Sequence, residues 1–226
     1  MSNRDRIRLE SLKLFNQHGA ENVGCNKIAA SLGISPGNLY YHFKNKEEII
    51  RSLFDDIEKD IEIVLHPIYA DDEQPYPPEQ AARILISWMM LVWRYRFFFG
   101  GLLGLTRNDE LLRERYVACR IKSMSHLFQS FAAEAGNIDT NSKPHLKQMV
   151  AAIATNVWII ATGWMRHLQI TSQLEPLSPD MIVDGAFQIF ASVAAYLPPE
   201  RVRDISELLN NREFRQEFID AENWKD

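Results

Sequence analysis

The stretch GCNKIAASLGISPGNLYYHF, residues 24–43, decides how this chain is to be read. Ile28, Ala29 and Leu32 mark one side of a short helix that Gly33 ends, since glycine tolerates the positive φ of a tight turn. Ser35-Pro36 then starts a second helix, with serine as N-cap and proline at the first helical position, where its missing N–H costs nothing. Small Ala29 lets the two helices cross closely, and Ile34, Leu39 and Phe43 supply the buried contacts that fix the crossing. The face left outside carries Asn38, Tyr41 and His42, with Lys44 and Lys46 just beyond. Such donors and cations suit a phosphate backbone and base edges, so the spacing predicts a helix-turn-helix.

Working outward, Ile7, Ser11, Leu12 and Phe15 share a face of a preceding helix that stops at Gly19. A long helix is predicted from Lys46 to His66, with Pro67 as its stop. The acidic, proline-rich YADDEQPYPP at 69–78 reads as a loop. Further helices are expected at 79–95, 97–104, 109–135, 145–172 and 179–197, with 137–144 breaking two of them and an amphipathic tail at 200–222. Strand-type alternation is nearly absent, so the fold class is all-α.

The 226 residues carry 25 Lys+Arg and 30 Asp+Glu, a net charge of −5. Seven basic residues and three acids lie up to Lys46, so a small positive module precedes an acidic body. A polyanion-binding head on a body that does not bind polyanions fits this asymmetry, as does chance. Composition excludes collagen-like, disulfide-scaffold and disordered classes. Two cysteines make no disulfide framework and the start has no apolar core, so a cytoplasmic location is expected. The most apolar run, 149–165, is shorter than a membrane span and is read as a buried helix, with no membrane partner.

The string IA..LGIS.GNLYYHFKNKEEII, together with Phe15 and Gly19, resembles the TetR family of bacterial transcriptional regulators over residues 4–60, about a quarter of the chain. The resemblance implies a helix-turn-helix DNA-binding domain at 1–47, a connecting helix at 48–66, and a helical effector-binding and dimerisation domain over 48–226. It implies that Pro36, Gly37 and Asn38 lie nearest the base edges and that Tyr40, Tyr41, His42 and Lys46 hold phosphates. Asn26 and Lys27 would approach a base edge and the backbone. Gly24 departs from the family pattern, which places Ser or Thr there to cap the helix and touch a phosphate. For Tyr40, packing is an equal alternative. Cys25 fits either a thiol sensor at a helix N-terminus or a filler of an aliphatic position, and Cys119 reads the same way.

Rings crowd the segment 88–99, and Gly100, Gly101 and Gly104 follow, which are read as breaking the helix there. Middle helices of folds resembling this one hold effectors. An apolar cavity is therefore expected among Trp88, Met89, Val92, Phe98, Leu102, Tyr116, Trp158 and Thr162, against the alternative that these are plain core. Arg94, Arg96 and Arg107 would meet an anionic ligand or pair with Asp55, Asp56, Glu110 or Glu114. Helices at about 145–172 and 179–197, apolar nearly all round, would pair with their symmetry mates into a homodimer, or be internal to a monomer. The expected partners are thus an operator DNA duplex, a second copy and a small-molecule effector; no cofactor or metal is expected. An enzyme is the remote alternative, since no nucleophile elbow, phosphate-binding glycine loop or metal-ligand spacing occurs and six histidines are scattered.

Overall fold

The structure, a computed structural model, describes residues 1–69, 77–134, 144–171 and 177–221. Among these it contains eleven α-helices and one 3₁₀ turn, and no strand. Residues 137–143 of the predicted break at 137–144 and most of the 69–78 loop fall outside the described residues, while Pro144 opens a helix.

Helix α1 (Asn3–His18) begins with a capping box between Ser2 and Asp5 and ends at Gly19, whose φ of 78° only glycine adopts freely. A 3₁₀ turn follows at Ala20–Asn22. Helices α2 (Cys25–Leu32) and α3 (Pro36–His42) are joined through Gly33, at φ 65°. Ile7, Phe15, Ile28, Leu39 and Phe43 are completely buried and form the core of this three-helix head.

Helix α4 (Lys46–Tyr69) is the long connector, and it runs past the expected stop at Pro67. Proline removes an N–H and crowds the carbonyl four residues back, but only two residues of α4 follow it, so the cost falls on the last turn alone. The remaining helices are α5 (Pro78–Arg94), α6 (Arg96–Asn108), α7 (Glu110–Glu134), α8 (Pro144–Thr171), α9 (Pro179–Ala194), α10 (Pro199–Asn210) and α11 (Arg212–Ala221). Contrary to expectation, α6 passes through Gly100, Gly101 and Gly104 without breaking. Three interior glycines cost about 3 kcal/mol against alanine. Buried Phe97, Phe98 and Phe99 offset this, at roughly 1.5–3 kcal/mol per side chain.

In the body, α5 and α8 lie along α9, while α10 and α11 cover α5. Gly185 permits the close approach: a Cβ there would stand 2.6 Å from Met89 Cε and from Trp164 Cδ1. Helix α8 has the length and composition to cross a membrane over Lys147–Thr171, with 44% of its most apolar window buried inside the protein. It packs against α5, α6, α7 and α9.

Charged pairs hold α4 on several sides. Arg8 of α1 pairs with Asp56, Arg115 of α7 with Asp55 and Glu58, and Lys122 with Glu62. Arg51 meets Asp109 at 2.5 Å, and Asp109 also accepts the Leu112 N–H at 3.0 Å, capping α7. Arg94 pairs with Asp60 at 3.3 Å rather than with any of the four acids expected for it, because the end of α5 lies beside α4 there.

Candidate nucleic-acid interface

The local sequence builds α3 as a short, firmly started helix. Ser35 Oγ accepts the Asn38 N–H at 3.2 Å, and Pro36 occupies the first turn. The turn before it closes by N–H donation from Gly33 to Ala30 and from Ile34 to Ala29. Leu39 points fully inward, which forces Asn38, Tyr40 and Tyr41 outward; Tyr41 is 85% exposed. Pro36 and Gly37 at the start of α3 are exposed, as are Asn26 and Lys27 in the first turn of α2, and His42 is half-buried beside Tyr41. These eight residues are thus carried by two adjacent helices.

Lys46 stands apart from them. Its ammonium donates to the Ala20 carbonyl at 2.7 Å and ties the 3₁₀ turn to the start of α4. Sequence reading missed Arg4, whose guanidinium donates to the His42 carbonyl at 2.9 Å and lies 4.2 Å over the Phe43 ring. It braces the C-terminal end of α3 from 38 residues away, and no local spacing signals such a contact. Gly24, the N-cap of α2, makes no side-chain cap bond.

Cys25 is half-buried, and burial together with nearby Glu47 pushes its thiol above the ordinary range, despite a hydrogen bond with Tyr40. Burial and Glu58 lift Cys119 to about 11. Both therefore stay protonated near neutral pH, which favours packing over a reactive thiolate.

Of the eight body residues expected around an effector, Trp88, Phe98, Tyr116, Trp158 and Thr162 are linked by direct contacts. Trp88 and Trp158 lie 5.7 Å apart, Tyr116 is 6.5 Å from Trp158, and Phe98 is 6.2 Å from Tyr116. Trp88, Met89, Val92, Phe98, Trp158 and Thr162 are buried, while Leu102 and Tyr116 are half-buried. Thr162 donates to the Trp158 carbonyl at 2.8 Å. Burial raises the Tyr116 hydroxyl, offset in part by hydrogen bonds with Trp158 and Thr162. Ring lies against ring through this cluster. An open cleft of about 670 Å³ lies elsewhere, between α1, α6, α8 and the start of α9. Among the described residues no group of three or more His, Cys, Asp or Glu is placed to hold a metal.

An outward-facing recognition helix on a three-helix head, carried by a larger helical body, defines a helix-turn-helix transcriptional regulator. The model of the bacterial regulatory proteins of the tetR family matches residues 7–53, and that of the TetR bacterial transcriptional repressors matches residues 60–205. The chain belongs to the TetR family. A TetR-family transcriptional regulator from Marinobacter aquaeolei is 31% identical, superimposes with a TM-score of 0.77, and is covered over 99% of its length by 96% of this chain. HTH-type transcriptional regulators of Staphylococcus aureus are 41% identical over 63 residues, 28% of this chain and 32% of theirs. The match to these curated relatives thus spans about a third of their length. SmeT, solved as a complex with triclosan, shares the fold at 16% identity and a TM-score of 0.61, over 89% of this chain and 94% of its own.

Proposed function

We propose that this regulator is a repressor which, as a homodimer in the cytoplasm, binds a palindromic operator and leaves it when a small apolar or amphipathic effector binds. The observation carrying this reading is the outward row Asn38, Tyr40, Tyr41 on a helix anchored by buried Leu39. In it, residues 1–47 read DNA and 48–226 take up effector and partner. Pro36, Gly37 and Asn38 read base edges, and Asn26 approaches one from α2. Lys27, Tyr40, Tyr41, His42 and Lys46 hold the backbone. The description of the matching body model as a transcriptional repressor supports the direction of control. The triclosan complex of SmeT supports a small-molecule effector on this fold.

Release requires that the effector prefer one arrangement of the two heads, with α4 as lever between body and head. The residues from Ile61 to Leu65 lie toward the body end of that lever, with Ile61 and Leu65 buried. The packed state of the Trp88–Trp158 cluster favours a second reading, in which the protein regulates without an effector, through protein contacts.

Substitution separates the roles. Asn38→Ala relaxes preference at one base pair, costing about 1–3 kcal/mol on the operator and little on random duplex. Lys27→Ala weakens both alike and lowers the salt slope by about one. Titration of each variant on operator and random DNA checks this, and equal losses for Asn38→Ala would remove it from base reading.

A further inference from the structure

The cleft of about 670 Å³ lies where the head meets the body, and the eight residues expected around an effector are absent from its walls. Phe15 and Gln17 of α1 form one side, Phe97, Gly100 and Gly101 of α6 the floor, and Met165 and Gln169 of α8 the other side. A second hollow of about 260 Å³ shares Phe97, Gly101 and Glu21 with it and continues toward Ile50 of α4. The two hollows adjoin along α6, beneath the head, and the larger forms a groove.

Its chemistry is that of a ligand site. The volume falls within the range of roughly 300–1,000 Å³ that holds small molecules. The Phe15 and Phe97 rings, 5.3 Å apart, lie packed beneath the groove, with Phe15 completely buried, so an occupant meets the α6 backbone rather than an open ring face. Gly101 leaves the α6 backbone open, and at Gly100 only a flexible side chain covers it, so a flat ring can lie against α6 once that side chain swings aside. Gln169 now rests there: its amide nitrogen and oxygen stand 2.6 Å from where a Gly100 Cβ would be. That amide is a flexible donor and acceptor already positioned over the floor. The rim of the larger hollow bears one carboxylate, Glu21, and one guanidinium, Arg96, so it is neutral overall, while Lys46, Glu47 and Asp109 line the smaller one.

We infer that this groove binds a neutral, flat, amphipathic small molecule carrying one or two hydrogen-bonding groups. The site stands on its own geometry. Its role as an effector site rests on the functional reading above: an occupant touching α1, α6 and α8 at once distinguishes head orientations, as an effector must.

The test is a fluorescence titration of the full chain, without DNA, with N-phenyl-1-naphthylamine, a neutral amphipathic aromatic amine. Wild type is expected to bind it saturably. Gly101→Leu is expected to bind at least tenfold more weakly while keeping its thermal midpoint, since a Cβ at 101 meets only the Leu105 side chain, at 3.9 Å. Gln169→Trp plugs the groove from the opposite wall, with the same loss expected, and serves if Gly101→Leu does not fold. Trp158→Phe, in the packed cluster, is expected to bind as wild type. Absence of saturable binding, wild-type binding by the plugged variants, or loss at Trp158→Phe would overturn the assignment. Failure of the ligand-free protein to bind any operator would count against the functional reading and leave this titration unaffected.

Discussion

Asn38 and Leu39 are neighbours with opposite fates: the first faces solvent and the second is completely buried, which leaves the Asn38 amide available to a groove edge. That division was legible in sequence, because helical spacing and a serine-proline start fix which side turns inward. Lys46 was not, because its bond to the Ala20 carbonyl joins positions 26 residues apart. Lys46→Ala therefore disturbs the fold of the head as well as any phosphate contact, and Lys27 is the cleaner probe. Gly24 gives the residue-scale prediction. Its φ of −101° and ψ of 166° suit an N-cap, and a Cβ would meet nothing within 4 Å. Gly24→Ser should cap α2, raise stability by a few tenths of a kcal/mol, and tighten binding to operator and random duplex alike. Thermal unfolding with titration on both DNAs checks it, and an unchanged midpoint would contradict the capping account.

At the scale of elements, head and body meet at the join between α5 and α6. Asn16 of α1 donates to the Arg94 carbonyl at 2.9 Å and accepts the Phe97 N–H at 3.1 Å. Tyr95, the N-cap of α6, makes no side-chain cap bond, so a residue of another helix supplies the cap. Asn16→Ala removes both bonds and should cost about 1–2 kcal/mol in chemical denaturation. Asn16→Asp keeps the acceptor and should recover part of that loss; no recovery would mean the cap is unimportant. The existence of nearly every helix was readable from its apolar period. The continuity of α6 and α4 was not, because glycine and proline penalties are local while the burial that outweighs them is tertiary. The aromatic segment was legible as a cluster, but whether rings enclose space or fill it depends on rotamers and crossing distances that composition does not carry.

For the whole molecule, the outward sides of α8 and α9 bear on assembly. Ile159 is 61% exposed and Phe187 37%, with Met149, Ala151, Ala152 and Ala191 also outside. Exposed apolar side chains on these two helices are what a proposed dimer would cover. Ile159→Asp, on an outward position, should leave the monomer folded, shift sedimentation equilibrium toward monomer, and weaken operator binding by at least tenfold. A persistent dimer would place the interface elsewhere.

The central claim is that two α3 helices on one dimer read a symmetric DNA site. Selection of bound duplexes from a random pool, followed by titration of the enriched sequence at two salt concentrations, tests it most directly. The account predicts an enriched palindrome with half-sites about one helical turn apart, bound by a dimer with steep salt dependence. No enrichment, with only weak binding at low salt, would contradict it.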